Sequence, residues 1–341
     1  MNESPRPSIS IALCTYNGMA YLPVQWQSLL EQQQLPDEIV ICDDQSTDGT
    51  DELLTQLAAD APFVVRVLEN TVRLGSNKNF ERSLSACTGD LIFLCDQDDF
   101  WLPEKIATMT RYMTQHPEAQ VAFCDAWVTD EQLQEKKGRF WEVVRFDKKA
   151  QHRWRTGESL EVLLDGNRMM GCATVVRKSF LKVVLPVPND LPADYIYDGW
   201  MALVAATSNS VHFIDAPLQL YRTHVHQQVG VREKEATDSV RLQDRLARRR
   251  AGKLAPLREK QLNLNKISQL LNARVSATAP GFSQLRRRLG HFTMRSSLPD
   301  NRLGRVLPVL RSLQRGNYNR YADASANWYA PYLAMLGDLL E

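Results

Sequence analysis

The chain has 341 residues, 44% apolar and 24% charged, the balance of an ordinary globular protein and not of a disordered or fibrous one. A net charge of +1 hides an asymmetry: residues 236–341 carry 19 Lys+Arg against 7 Asp+Glu, net +12, and residues 1–235 carry 22 against 33, net −11. That split predicts one large acidic, metal-binding body and a basic appendage that meets an anionic partner.

Residues 8–14 read as a strand, and Thr15-Tyr16-Asn17-Gly18 as its exit turn. Leu22, Trp26, Leu29 and Leu30 give 20–34 a helical pattern that Pro36-Asp37 ends. A second strand over 38–42 closes at Asp43-Asp44, and Ser46 to Thr50 is a loop and cap for a helix near 50–60. A third strand covers 64–68, a helix 76–87, and a fourth strand 90–95. This alternation predicts a parallel, doubly wound sheet. A helix near 103–115 and a strand near 120–127 follow. Residues 130–155 are polar and irregular and read as a mobile loop. A helix over 158–165, an extended stretch over 171–176, a turn-rich stretch over 186–192 and a helix over 198–208 come next. Two short strands, near 210–214 and 217–221, end at Tyr221-Arg222. From about 232 the chain reads as helical and Arg-rich, with runs at 248–250 and 286–288.

The six cysteines (Cys14, Cys42, Cys87, Cys95, Cys124, Cys172) form no C-x-x-C pair and mostly lie in apolar runs. That pattern reads as a reducing compartment without disulfides. The first residues do not resemble a signal peptide, and no apolar run nears the ~20 residues needed to span a bilayer. A soluble or peripheral protein is expected, cytoplasmic or at the inner face of the cell membrane.

The junction Asp96-Gln97-Asp98-Asp99 follows the apolar run 91–95 directly. Three carboxylates at a buried strand's end repel one another unless a cation sits among them. Mg²⁺ or Mn²⁺ suits that place, because each takes a few carboxylates and leaves positions for phosphate oxygens. The bland reading is an acidic turn capping the next helix, and these residues alone leave both open. Ligands of open α/β sheets bind beyond the strands' carboxyl ends. Asp43-Asp44, Asp96/Asp98 and Thr15/Asn17 would therefore face one crevice. No G-x-G-x-x-G or G-K-S/T loop is present to cradle phosphate, which argues against the usual dinucleotide and ATP folds.

Taken in order, Ile11-Ala-Leu-Cys-Thr-Tyr-Asn-Gly18, Glu38-Ile-Val-Ile-Cys-Asp-Asp-Gln-Ser-Thr-Asp-Gly-Thr50 and Gly89-Asp-Leu-Ile-Phe-Leu-Cys-Asp-Gln-Asp-Asp-Phe-Trp101 resemble the family-2 glycosyltransferases. Asn70-Thr-Val-Arg-Leu-Gly75, Asn79-Phe80 and Trp101-x-Pro103-x-Lys105 fit the same family. Tyr195-Ile-Tyr-Asp-Gly-Trp200 and Tyr221-Arg-Thr-His224 resemble its rhamnosyltransferase-like branch. The resemblance covers about residues 8–230. It implies an α/β GT-A fold, a Rossmann-like, doubly wound mixed sheet over 1–230, with a helical C-terminal extension over 231–341.

It also implies inverting transfer from a nucleotide-sugar, dTDP-rhamnose or a UDP-hexose, to a surface polysaccharide or lipid-linked oligosaccharide. Thr15, Tyr16, Asn17, Asp43, Asp44, Asn70 and Lys78 would then bind the donor nucleotide, with Asp96 at its ribose or sugar. Asp98 would hold Mg²⁺ or Mn²⁺ with help from His224, and the metal would stabilise the leaving diphosphate. Asp198 would be the catalytic base. Asp99, Trp101, Trp200 and Arg222 would touch acceptor or diphosphate. Two departures stand out: Tyr197-Asp-Gly-Trp200 where the branch often has His-Asp-Trp-Trp, and Thr223-His-Val-His226 where it often has Gln-His-Gly-Asn.

Without the resemblance, Asp198 reads as a helix cap, His224 as a hydrogen-bonded histidine, and Trp101 and Trp200 as core. Asp125 and Asp130 read as structural, Cys95 as packing, and His226 as a bystander. Two other classes compete: a sugar-phosphate nucleotidyltransferase, which lacks its glycine-rich, lysine-bearing loop here, and an inactive nucleotide-sugar-binding protein. The basic extension reads as solvated helix faces, as a contact for anionic lipid or a diphosphate-linked lipid, or as a nucleic-acid surface. The last ranks low because no aromatics interleave with the basic runs. The closing segment, with Trp328, Tyr329 and Tyr332, would dock on the body, form a homodimer or touch a membrane interface.

Overall fold

The computed structural model describes residues 6–225, 227, 250–322 and 327–340. By internal packing the chain divides into two compact units, Met1–Val231 and Arg232–Glu341. The expected junction after residue 230, His226 and the arginines at 248 and 249 lie outside the described residues.

The first unit starts as the sequence predicts. Strands β1 (Ile9–Thr15), β2 (Glu38–Asp43), β3 (Val64–Glu69) and β4 (Leu91–Cys95) alternate with helices α1 (Leu22–Leu30), α2 (Thr50–Ala59) and α3 (Ser76–Ala86). β2 and β4 are buried along their whole length and β1 nearly so, which explains their unbroken apolar runs. β3 is the exposed edge. β1 pairs in parallel with β2 and β4, and Leu13 aligns with both Ile41 and Cys95. That register brings the residues after all three strands to one edge of the sheet.

The second half holds β5 (Phe100–Trp101), α4 (Lys105–Gln115), β6 (Val121–Thr129), β7 (Lys136–Arg139), α5 (Phe140–Val143) and α6 (Lys148–Arg153). A π turn at Trp154–Glu158 leads into α7 (Ser159–Leu163), and a 3₁₀ turn at Gly171–Ala173 into β8 (Thr174–Arg177). Helices α8 (Lys178–Val184) and α9 (Tyr197–Thr207) and strand β9 (Val211–Arg222) complete the unit. The strand order is β3-β2-β1-β4-β8-β6-β9-β5, with β7 on β6. β8 runs antiparallel to β4 and β6, and β5 antiparallel to β9. The sheet is therefore mixed, as the family resemblance implied, and the strands read from the alternation, β1 to β4, form its parallel part. A four-residue strand such as β8 carries too little pattern to reveal its direction.

Two local expectations are corrected. Residues 130–155 are a strand and helices, not a mobile loop. Trp141, Phe146 and Trp154 pack around Phe123 and Phe213, with ring centroids 5.0 Å apart for Trp141–Phe146 and 5.2 Å for Phe146–Trp154. Single aromatics spaced this widely give no periodic signal; the opposing sheet supplies their burial. The two short strands near 210–221 are one strand, β9, whose pairing with β6 slips beside Pro217. Helix α8 covers a stretch to which the sequence reading assigned no element.

The second unit is helical: α10 (Arg250–Asn272), α11 (Gly281–Ser296), α12 (Arg302–Gln314), α13 (Asn317–Arg320) and α14 (Ala330–Leu340). Leu264, Ile267, Leu271, Phe282, Leu285 and Phe292 form its core. Of the run 286–288, only the first two arginines are exposed; Arg288 is buried, its guanidinium 5.4 Å from the Tyr321 ring. No helix among the described residues is long and apolar enough to cross a membrane.

Candidate active site

Past the end of β4, the acidic turn splits its side chains between two places. Asp98 Oδ2 lies 2.9 Å from His224 Nε2, just beyond the end of β9. Asp96 and Asp99 instead converge with Cys172, with ligand atoms within 4.8 Å of one another. Removal from water, then the charges of Asp98, Asp99 and Asp198, pushes the Asp96 carboxyl well above its usual range. Burial and Asp98 raise Asp99 to about 7. Gln97, between the two ligand candidates, points the other way. Its amide accepts from Tyr16 N (2.9 Å) and donates to Tyr16 O (3.0 Å), tying the exit turns of β1 and β4 together.

The exit turns of β1 and β2 and the 70–75 loop form an interlocked set. Asp43 accepts from Thr15 Oγ1 (2.7 Å), Ser46 N (2.8 Å) and Ser46 Oγ (2.6 Å). Asn17 adopts φ 48° and accepts from Thr47 N through its side chain. Asp44 accepts from Asn70 Nδ2 (2.8 Å), Leu74 N (2.6 Å) and Gly75 N (2.8 Å), so it shapes the 70–75 loop from beneath. Asn70 also bonds Asn79 and Arg82. Arg73, which the sequence did not single out, lies 3.8 Å over the Tyr16 ring. Lys78 is turned to Glu81 and the Val187 carbonyl.

Asp198 lies in the first turn of α9 and is 5% exposed. It accepts from Gly171 N (3.0 Å) and Asn167 Nδ2 (3.3 Å), as well as from Gly199 N. Burial raises its pKa to about 6 while the hydrogen bonds restrain the rise. Its charge contributes to the raised pKa of Asp96. Tyr197 beside it stacks on Phe80 at 4.1 Å, anchoring the helix start to α3.

Several expected contacts are interior. Trp101 and Trp200 are fully buried. The Trp200 indole donates to Val184 O (2.9 Å), and the Lys105 ammonium sits 3.6 Å over the Trp101 ring. Neither offers a face to a saccharide, which corrects their assignment as acceptor contacts. Asp99 is 1% exposed and accepts from Gln219 Nε2 (3.3 Å) and Arg222 N (3.2 Å), so it too supports from within. Lys105 is buried, bonded to Gln219 and Cys172 O, and its charge partly offsets Asp99. Trp101-x-Pro103-x-Lys105 is thus a structural brace for the acidic turn. Asp125 is structural as expected, paired with Arg139 Nε at 2.6 Å and capping Trp141 N.

Residues the sequence reading missed are Tyr21, Glu131, Asn167 and Cys172. The Tyr21 ring packs against the His224 ring at 4.2 Å, tilted by 34°, and its hydroxyl donates to Glu131 Oε1 (2.7 Å). Arg222 donates to Asp98 O (2.7 Å) and to Glu131 O. These side chains come from separate elements and carry no local motif.

The residues fit a divalent cation with a diphosphate. Asp98 and His224 provide one oxygen and one nitrogen donor 2.9 Å apart, close to the ~3 Å between adjacent ligands of an octahedral ion with 2.0–2.1 Å bonds. Beside them Arg222 Nη2 is buried with no hydrogen-bond partner among the described residues, a donor left for an anionic oxygen.

The profile of Glycosyl transferase family 2 matches residues 10–184. The chain belongs to glycosyl transferase family 2. This protein is 28% identical over 221 residues to the uncharacterized protein Rv1520 of Mycobacterium tuberculosis, a match covering 64% of this chain and 59% of that one. It therefore spans less than two thirds of that relative's length. The dTDP-rhamnosyl transferase RfbG of Shigella flexneri is 26% identical over 227 residues, covering 64% of this chain and 73% of RfbG. The mannosyltransferase PcManGT from Pyrobaculum calidifontis, solved with GDP-Man and Mn²⁺, matches with a TM-score of 0.51 at 16% identity over 98% of this chain and 80% of its own. That last likeness is one of fold, the GT-A architecture.

Proposed function

We propose that the protein is an inverting glycosyltransferase that moves a sugar from a nucleotide-sugar donor to a hydroxyl of a saccharide or lipid-linked saccharide. The observation that carries this reading is Asp198: a buried carboxylate, held by three hydrogen bonds, with a pKa near 6. Such a group is ionised at neutral pH and is a better proton acceptor than an ordinary carboxylate. Asp198 accepts the acceptor hydroxyl's proton as its oxygen attacks the anomeric carbon. The bond from that carbon to the donor diphosphate breaks, with inversion.

Thr15, Tyr16, Asn17 and Asp43 frame the nucleoside, and Asp44 with Asn70 holds the loop that brings Arg73 over Tyr16. Arg222 meets the diphosphate through Nη2. Asp98 and His224 would hold Mg²⁺ or Mn²⁺, and a cation bound there supplies charge neutralisation to the leaving group. Asp96 bonds the donor ribose or sugar. The similarity to the dTDP-rhamnosyl transferase RfbG supports dTDP-rhamnose as donor, with a UDP-hexose second. The acceptor is a growing surface polysaccharide or lipid-linked oligosaccharide at the inner face of the cell membrane.

A thermal-shift screen of nucleoside diphosphates and nucleotide-sugars with Mn²⁺ or Mg²⁺ selects the donor, since binding to the native state raises its stability. Acceptor-dependent release of nucleoside diphosphate, lost in Asp198→Asn with donor binding retained, is the expected result. Parent-rate transfer by Asp198→Asn would remove the proposed base.

A further inference from the structure

Helix α12 turns an apolar stripe to solvent. Leu303 is 82% exposed and Leu307 57%, with Val306 and Leu310 on the same face and also exposed. Its opposite face already holds buried Arg305, Val309 and Ser312. The helix therefore cannot bury the leucines within its own unit without giving up that packing. Helix α14 packs on α12 and, with the turn before it, exposes Trp328, Tyr329, Tyr332 and Leu336.

The surroundings are basic. Residues 301–322 include five arginines and no Asp or Glu, and Arg302, Arg311 and Arg315 are exposed beside the stripe. Residues 250–322 as a whole carry 15 Lys+Arg against 2 Asp+Glu. Exposed apolar stripes mark docking surfaces for protein or membrane. A second copy of the chain is a poor occupant, because two-fold pairing would set these arginine rows against each other without an acidic partner. An anionic bilayer matches both features. Leucines enter the acyl boundary, tryptophan and tyrosine sit at headgroup depth, and arginines meet lipid phosphates.

We propose that the exposed face of α12 and α14 is a docking surface for an anionic phospholipid membrane. This surface lies on other helices than the basic run at 286–288, and it does not depend on the transfer reaction proposed above.

The test uses the full chain, without donor or acceptor, and vesicles of phosphatidylcholine alone or with about one third phosphatidylglycerol. Co-sedimentation with the anionic vesicles, weakening as salt rises, and little with the neutral ones is expected. Leu303→Glu/Leu307→Glu lowers the anionic-vesicle affinity at least about tenfold with an unchanged melting temperature, since both side chains already face water. Arg311→Gln/Arg315→Gln also weakens binding and flattens its salt dependence. Parent-level binding by the leucine variant, or no vesicle binding by the parent, overturns the proposal. So does light scattering that shows a parent dimer dispersed by the leucine substitutions, which would assign the face to a second copy.

Discussion

Gly171 has no room for a side chain, and Gly171→Ala probes the seat of Asp198 directly. A Cβ there would collide with Tyr197 Oη and stand 2.8 Å from Cζ and 2.9 Å from Cε2, where relaxed contacts need ~3.5 Å. The Tyr197 ring cannot retreat freely, being 4% exposed and stacked on Phe80. Overpacking of this kind costs ~1–3 kcal/mol. Displacing the 171 backbone also threatens the Gly171 N–H to Asp198 hydrogen bond, and a bond to a charged group is worth ~1.5–3 kcal/mol. A combined loss of ~2.5–6 kcal/mol corresponds to a melting temperature lower by on the order of 10 °C in a unit of this size. Scanning calorimetry on the full chain reads it as a shift of the first unit's transition. Tyr197→Phe removes the nearest atom but leaves the 2.8 Å approach, so the double variant should recover part of the loss. A Gly171→Ala protein melting within about 1 °C of the parent, or no recovery in the double variant, would refute the reasoning.

In the proposed mechanism ionised Asp198 takes the proton, and burial raises its pKa to about 6, so kcat/KM should rise as pH increases through about 6 and then level off; a profile flat across that value speaks against this base. Mn²⁺ with nucleoside diphosphate at ~100-fold above Kd should stabilise the parent by ~2.7 kcal/mol. Asp98→Asn should lose most of the metal-dependent part, and an equal increment in both proteins would remove Asp98 as a ligand. Asp44→Ala deletes the acceptor of three hydrogen bonds and should cost ~2–4 kcal/mol with weaker nucleotide binding; unchanged stability and affinity would show that the 70–75 loop holds itself. Trp101→Phe should lower the melting temperature and leave the acceptor KM alone, whereas a raised KM at parental stability would restore Trp101 to the acceptor site.

The first half of the fold was legible in the chain because its signals are local. β1, β2 and β4 are covered on both faces and so read as unbroken apolar runs, and the polar residues that end them must leave the sheet at one edge. The ordered motifs identified the family and named Asp98, Asp198 and His224, and the structure brings Asp98 to His224 and Asp198 toward Asp96. Tertiary structure alone decided the rest. The insertion of β8 between β4 and β6 carries Cys172 to Asp96 and Asp99 and Gly171 to Asp198, across sequence gaps that no periodicity spans. The same packing turned Trp101, Trp200 and Asp99 inward and buried the aromatics of 140–154. Which face of a turn or helix meets solvent depends on what is opposite it. For these residues the opposite surface comes from strands far away in the chain, so their own neighbours in sequence could not reveal it.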